Sequence, residues 1–140
     1  MFGQGAGAPR GFTLVEAVIV MVVAGFLMAL ALPRFAEVRR SIELDTAAYQ
    51  LAGDLRRAQV EAIKRNEAVT LARTGASTYS ISFIGNRTLE ASVTFNVGSA
   101  DSVRMASFGP PTTGAQAFTL DHGGFSKTVS VTAAGLVQVQ

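Results

Sequence analysis

Glu16 is the single carboxylate within an apolar segment long enough to cross a membrane. From Ala17 to Leu32 the sequence contains no charged residue and no Asn, Gln, Ser or Thr. Roughly 20 apolar residues, each rising about 1.5 Å in a helix, cross the hydrocarbon core of a bilayer. A carboxylate in that environment is costly unless it is protonated or paired with a cation. The pattern therefore predicts a membrane-spanning helix in which Glu16 requires a partner.

Residue types that support catalysis or metal binding are few in the rest of the chain. His122 is the only histidine, it lies in the glycine-rich run Asp121-His122-Gly123-Gly124, and there is no cysteine. Zinc needs three or four ligands, so a lone Asp-His pair predicts no metal site. The sequence also lacks a Gly-x-Ser-x-Gly nucleophile motif and a phosphate-binding glycine loop before a helix. We therefore predict no catalytic residue, no metal and no cofactor.

The residues that precede the apolar run carry a processing signal. They resemble the class III signal of type IV prepilins and type II secretion pseudopilins, a leader ending in Gly followed by Phe-Thr-Leu-x-Glu, here Gly11-Phe12-Thr13-Leu14-Val15-Glu16. The resemblance implies that residues 1–11 are a leader, that a prepilin peptidase in the inner membrane cuts between Gly11 and Phe12, and that the new amino group of Phe12 is methylated. It also implies that Glu16 neutralises the Phe12 amino terminus of a neighbouring subunit. An ammonium and a carboxylate in a low-dielectric bundle each need the other.

Three other interpretations of the apolar run remain open. An ordinary secretory signal would use Arg10 as its basic end and Ala29-Leu30-Ala31 as its cleavage site, although a carboxylate inside the apolar region fits that signal poorly. A simple membrane anchor would place Glu16 at the membrane interface. A buried helix of a soluble protein is disfavoured by a run this uniformly apolar.

Length and composition allow one anchor and one small domain. The chain has 140 residues, and 12 basic against 10 acidic residues give a net charge of +2, which by itself implies no polyanionic partner. Arg10 favours a cytoplasmic leader, whereas Arg34, Arg39 and Arg40 on the other side weaken that assignment. The family resemblance therefore supplies the orientation. It implies a single-pass protein of the bacterial inner membrane with its head in the periplasm, which later enters a pilus or pseudopilus.

The helical pattern continues beyond Pro33, a position at which pilin-like proteins often kink their helix. We predict residues 12–33 as the membrane and assembly segment and residues 34–66 as an amphipathic second half that ends near Asn66. Glu61 and Arg65, four residues apart, are predicted to pair on the helix surface. Small and apolar residues form a stripe at spacings of three or four, namely Ala47, Leu51, Leu55, Ala58 and Ala62.

Residues 67–140 are predicted to form a β-rich head. Runs of β-branched and aromatic residues predict strands at 68–73, 78–84, 93–97, 103–108, 117–120, 128–132 and 136–139. Gly85-Asn86 predicts a turn, Ala133-Ala134-Gly135 predicts the turn of a closing hairpin, and 98–102 and 109–115 predict loops. A helix followed by a series of short strands predicts an α+β fold in which the long N-terminal helix packs on an antiparallel β head.

A second resemblance covers the helix end and the head. Residues 55–71 are similar to the helix-end block of the GspH/FimT family, although Gln59 stands where that family usually has Arg. Phe108, Gly114 and the segment around Gly135 resemble the family's last strands. This resemblance implies a two-sheet head and a minor pilin or minor pseudopilin of a type IV pilus or type II secretion pseudopilus. Its implied partners are the prepilin peptidase/methyltransferase, other pilins or pseudopilins, the inner-membrane assembly platform and, before assembly, membrane lipid.

A DNA-binding minor pilin of a competence pilus is the alternative function. DNA affinity requires several Lys or Arg side chains aimed at phosphates. The DNA-binding branch of the family has a Gly-Arg-x-Arg pattern in its last strand, whereas neutral residues follow Gly135 here. Four cations on predicted strands are candidates to gather on one face, namely Arg73, Arg87, Arg104 and Lys127. The neutral last strand predicts that DNA is not a partner.

Overall fold

A computed structural model describes residues 11–90 and 92–140, with the side chains of all of these except Leu32 and Pro33. The predicted leader therefore lies outside the described residues apart from Gly11. The chain divides into two compact units, Met1–Glu37 and Val38–Gln140. We call the second of these units the head. It contains the helix from Val38 onward together with all the strands of the described residues.

One α-helix, α1, extends from Leu14 to Arg65. It is continuous across Pro33, and the kink predicted there stays a prediction. Its first half is long and apolar enough to cross a membrane by length and composition. Every described side chain from Leu14 to Ala31 is exposed in the isolated chain, as expected for a segment whose surroundings are lipid or other helices.

The predicted stripe on the second half of α1 is confirmed. All five of its residues are fully buried, and Leu44, Ala48 and Ala52 extend the same buried face. Five of these eight side chains are alanines, which let the helix backbone approach the sheets closely. The core is therefore built between this face of α1 and the inward residues of the strands.

The helix ends at Asn66, as predicted. Asn66 adopts a left-handed conformation with φ of 51°. Its N–H donates to the carbonyl of Ile63 at 3.2 Å, and the N–H of Glu67 donates to the carbonyl of Ala62 at 3.1 Å. These two bonds satisfy carbonyls that the end of a helix would otherwise leave unpaired. The predicted surface pair is also present, with Arg65 Nε 2.6 Å from Glu61 Oε1.

The head contains two four-stranded antiparallel sheets, which confirms the predicted α+β fold with two sheets. The first has the strand order β3-β2-β1-β5 and the second β4-β6-β7-β8. The strands are β1 (Val69–Arg73), β2 (Thr78–Ile81), β3 (Gly85–Thr88), β4 (Thr94–Phe95), β5 (Ser102–Met105), β6 (Gln116–His122), β7 (Phe125–Val131) and β8 (Val137–Val139). The predicted closing hairpin is β7–β8, in which Val129 lies opposite Val139.

The turn predicted at Gly85-Asn86 is wrong. These two residues begin β3, and the chain reverses at Ser82, Phe83 and Ile84, so that β2 ends at Ile81. The N–H of Ile84 donates to the carbonyl of Ile81 at 3.1 Å and closes this turn. Pairing of β2 with β1 sets this register because it buries Tyr79 and Ile81 in the core.

Other strand boundaries also differ from the predictions. The strand predicted at 93–97 is reduced to β4, the strand predicted at 103–108 ends at Met105, and Ser102 belongs to β5 instead of a loop. Only part of the glycine-rich run that contains His122 is a loop: Asp121 and His122 close β6, and Gly123-Gly124 alone form the turn. Both glycines have positive φ, 56° and 91°, as a two-residue hairpin turn requires.

Candidate assembly site

The start of α1 is fixed by Thr13. The N–H of Glu16 donates to Thr13 Oγ1 at 3.2 Å, and the N–H of Ala17 donates to the Thr13 carbonyl at 3.1 Å. Thr13 is therefore the N-cap residue and Glu16 occupies the third helical position, the order found in a capping box. A carboxylate in the first turn is also favoured by the helix dipole. This role of Thr13 was not among the sequence predictions, although a Thr three residues before a Glu is the usual signal of a capping box.

The cap keeps the predicted cleavage junction outside the helix. Gly11, Phe12 and Thr13 precede the first helical residue, Leu14. Phe12 is exposed, and no heavy atom other than those of its chain neighbours lies within 4 Å of the position that a Cβ would take on Gly11. The Gly11–Phe12 peptide bond is thus accessible and non-helical. The helix begins two residues after Phe12, which places Glu16 in the first turn of α1.

A second apolar face runs along α1 within the head. Its residues follow one another at spacings of four, seven, four and seven, namely Val38, Ile42, Tyr49, Gly53 and Val60. Such spacing places them on one side of a helix. The four side chains are exposed, and nothing lies within 4 Å of the position that a Cβ would take on Gly53. We call this surface the outer stripe.

The outer stripe gives α1 a second surface that can contact other molecules. A helix that is apolar on one side only is satisfied by packing on the head, but this helix carries exposed apolar residues on a second side as well, interrupted there by Arg56. Four exposed apolar side chains on one side of a helix are typical of an interaction face. The glycine at its centre allows close approach of another backbone. Only the buried stripe was predicted, although the spacing of the outer stripe is also visible in the sequence of α1.

Comparison with known proteins agrees with this geometry. The family described as the prokaryotic N-terminal methylation motif matches residues 8–32. A pilin-like protein of Thermus thermophilus, PilA1, is 45% identical over 62 residues, which span 44% of this chain and 38% of that relative. The fold is similar to that of the minor pilin FimU of Pseudomonas aeruginosa, with a TM-score of 0.63 at 18% identity over 71% of this chain and 90% of FimU. Residues 8–32 thus match that motif, and the fold resembles that of a type IV minor pilin. A second crystal form of FimU gives a TM-score of 0.60 at 16% identity.

The four strand cations do not gather on one face. Arg73, Arg87 and Arg104 belong to the first sheet, whereas Lys127 belongs to the second. Three of the four are bound to carboxylates: Arg73 Nη2 lies 2.6 Å from Asp101, Arg87 Nε lies 3.8 Å from Asp54, and Lys127 pairs with Asp45. The predicted DNA-binding alternative therefore gains no concentrated patch of positive charge from these residues.

Neutral β8 is held against α1 by two polar side chains of the helix. Gln59 Nε2 donates to the carbonyl of Gly135 at 2.5 Å, and Arg56 Nη2 donates to the carbonyl of Val137 at 3.2 Å. Gly135 has φ of 87°, and a Cβ there would lie 3.1 Å from Gln59 and 3.3 Å from Pro110. The residue that departs from the GspH/FimT pattern, Gln59, thus has a structural role at the hairpin turn of β7–β8.

His122 joins three segments of the head. Its Nδ1 lies 2.7 Å from the carbonyl oxygen of Ser92, and its Nε2 lies 3.1 Å from Glu43 Oε2 on α1. A hydrogen bond from Arg39, with a further contribution from His122, holds the pKa of Glu43 below its usual value despite some desolvation. Across residues 11–90 and 92–140 no group of three or more His, Asp or Glu side chains is arranged to hold a metal ion. His122 therefore acts as a link between β6 and α1.

Proposed function

We propose that this type IV pilin-like protein is a minor pilin, a structural subunit that a prepilin peptidase processes between Gly11 and Phe12. In this proposal the new amino group of Phe12 is methylated, residues 12–33 hold the protein in the inner membrane as a single span, and the head lies in the periplasm. The subunit then leaves the membrane and packs into a filament of pilins or pseudopilins. Its role in that filament is structural, and it is a substrate of the processing enzyme.

The observation that carries the proposal is the exposed apolar surface of α1 on both of its halves. In the first half every described side chain from Leu14 to Ala31 is exposed, and lipid or neighbouring helices are the surroundings that such a surface requires. In the head the outer stripe leaves one face of the helix without cover. A bundle of α1 helices would cover both surfaces at once, whereas a simple membrane anchor would leave the outer stripe unexplained.

Glu16 supports the same proposal through its charge. Its carboxylate is exposed in the first turn of α1, next to a junction whose cleavage would produce an amino group on Phe12. An unpaired carboxylate within a bundle of apolar helices is costly, and an ammonium group is the partner that removes most of this cost. We assign Glu16 to the Phe12 amino terminus of a neighbouring subunit. We assign Pro33 to a change of helix direction between the membrane segment and the head.

Intact mass measurement tests the processing step. The protein extracted from membranes of cells that contain a prepilin peptidase should have the mass of residues 12–140 plus one methyl group. Cells without the peptidase should yield the unprocessed mass, and replacement of Gly11 by Leu should do the same in cells with the peptidase. A mature terminus at Leu32 would instead establish an ordinary secretory signal and would contradict the proposal.

The choice between a pilus and a type II secretion pseudopilus follows from the filament in which the subunit is found. Both machines use subunits with this helix and this type of head, so the proposal covers both. Affinity capture of the processed protein from sheared filaments, followed by identification of the most abundant pilin-like partner, distinguishes them. DNA binding is not proposed, because β8 is neutral and three of the four strand cations are paired with carboxylates.

A further inference from the structure

Each ring nitrogen of His122 faces an oxygen atom. Nδ1 lies 2.7 Å from the carbonyl oxygen of Ser92, and Nε2 lies 3.1 Å from Glu43 Oε2. A backbone carbonyl can only accept a hydrogen bond, and the same is true of an ionised carboxylate. Both contacts are therefore hydrogen bonds only when both ring nitrogens carry a hydrogen, and a histidine with both hydrogens is the charged imidazolium.

Glu43 is the acceptor in its contact with His122. Arg39 Nε donates to Glu43 Oε1 at 2.8 Å, so each oxygen of the carboxylate faces a different donor. The hydrogen bond from Arg39 is the main reason that the pKa of Glu43 lies below its usual value. A protonated Glu43 could donate to a neutral ring, but the lowered pKa disfavours that form. The hydrogen between the two side chains therefore belongs to His122.

The charged groups around the ring act in both directions. Glu43 favours the imidazolium, and water screens this contact only in part because the two side chains are 13% and 24% exposed. Arg40 opposes it, since its side chain lies where a Cβ on Gly123 would be, 2.8 Å from Arg40 Cδ. The other charged residues of the surrounding elements are Arg39 of α1, Asp121 of β6, Glu90 after β3, and Lys127 of β7 with its partner Asp45. Ion pairs of Arg39 and Lys127 with carboxylates reduce the positive charge that these two bring to the ring.

The Ser92 contact fastens the connection between the two sheets. Ser92 lies between β3, an edge strand of the first sheet, and β4, which pairs with β6 in the second. Leu89 and Val93 of the same connection are buried in the core. Through Glu43 the ring also holds α1. His122 therefore ties the end of β6 to two other parts of the head at once.

We propose that His122 is a proton-dependent latch of the head. With both hydrogens on the ring, it holds the end of β6 to α1 and to the connection between β3 and β4. Loss of one proton leaves a nitrogen lone pair facing either the Ser92 carbonyl or the Glu43 carboxylate, whichever tautomer forms, so one of the two contacts opens. The latch is therefore closed in acid and weakens as the pH rises and the ring loses its proton.

Thermal unfolding of the full-length protein in detergent tests the latch, with His122→Gln as the variant that cannot titrate. At about pH 5.5 the unchanged protein should unfold at a temperature at least about 4 °C above that of His122→Gln, and at about pH 9 the difference should fall to less than half. All other titrating groups are common to both proteins, so the change in the difference reports on His122. A difference that is equal at the two pH values, or larger at about pH 9, would overturn the proposal.

Glu43→Gln is the matched variant. Its amide oxygen can still accept from Arg39, while its amide nitrogen can donate to the Nε2 of a neutral ring whose Nδ1 donates to Ser92. In the Glu43→Gln background, replacement of His122 by Gln should therefore lower the unfolding temperature at about pH 9 by at least as much as at about pH 5.5. A loss confined to acid in this background would show that Glu43 is not the partner that makes the latch depend on a proton.

NMR of the ring nitrogens tests the two hydrogen bonds directly, because His122 is the only histidine in the chain. A full-length protein without a histidine tag, labelled with ¹⁵N-histidine, should show two ring N–H signals at about pH 6, since hydrogen bonding slows their exchange with water. One of the two should be lost at about pH 9. Fewer than two signals at about pH 6 would overturn the proposal. None of these measurements requires a filament, so they can fail while the proposed function stands.

Discussion

The hydroxyl of Tyr79 donates a hydrogen bond of 2.7 Å to Asp54 Oδ2 and joins the centre of the first sheet to α1. Tyr79 is fully buried, and its ring packs edge-on against Phe95 with the centroids 6.1 Å apart. Burial, followed by the neighbouring Asp54 carboxylate, raises the pKa of Tyr79 well above its usual value. The phenol therefore remains a neutral donor over the physiological pH range.

Tyr79→Phe should destabilise the head. The change keeps the ring but leaves the largely buried Asp54 with only Arg87, whose Nε is 3.8 Å away. Loss of a hydrogen bond to a charged group costs about 1.5–3 kcal/mol of the free energy of unfolding. Denaturant unfolding of the full-length protein in detergent measures the effect. Tyr49→Phe is the matched control: Tyr49 is exposed, so its replacement should change the free energy of unfolding little. Equal losses in the two variants would show that the hydrogen bond from Tyr79 to Asp54 does not stabilise the head.

Gly53→Leu should have opposite effects on folding and assembly. Gly53 is exposed in the middle of α1, and replacement of a helical glycine by a good helix former stabilises a helix by about 0.5–1 kcal/mol. Its bulk in the outer stripe should nevertheless prevent close helix packing and reduce the protein in sheared filaments. Gly53→Ala is the control, with a similar gain in stability and a smaller loss of assembly. Normal assembly of Gly53→Leu would exclude helix packing at this point.

Thr13→Ala should loosen the first turn of α1 without affecting the head. The variant removes the acceptor of the Glu16 N–H, and loss of an N-cap costs about 1 kcal/mol. Hydrogen exchange of the Glu16 amide in detergent micelles should become several-fold faster. Thr13→Ser keeps the hydroxyl oxygen, so its Glu16 amide should exchange at the same rate as in the unchanged protein. Equal exchange in all three proteins would show that Thr13 does not cap the helix in a membrane-like environment.

Glu16→Gln should leave processing and membrane insertion intact but reduce assembly. The amide keeps the shape of the side chain and removes the charge that we propose pairs with a neighbouring Phe12 amino terminus. Glu16→Val should behave similarly and insert at least as well, because an apolar residue suits the membrane. Immunoblots of the sheared and membrane fractions measure both effects. Unchanged assembly of both variants would place the subunit at the very tip, where no neighbour precedes it.

The positions of the turns and the partners of the strand cations were not predictable from local sequence. Gly85-Asn86 is the better turn by residue type, yet the chain turns at Phe83, because the register of β2 is set by burial of Tyr79 and Ile81. Arg73 and Asp101 are 28 residues apart and meet only because β1 pairs with β5. The contact of His122 with Glu43 likewise depends on where β6 ends against α1.

The sequence by itself determined the apolar membrane-length segment, the N-terminal motif that residues 8–32 match, the buried stripe on α1 and the helix end at Asn66. These features depend on residues within a few positions of one another, whose spacing repeats with the helix period or matches a short motif. Tertiary structure alone decided which carboxylates neutralise Arg73, Arg87 and Lys127, and it brought His122 of β6 to Glu43 of α1. Such contacts join residues far apart in the chain, so they are fixed only when sheet order and register are fixed by burial of the core.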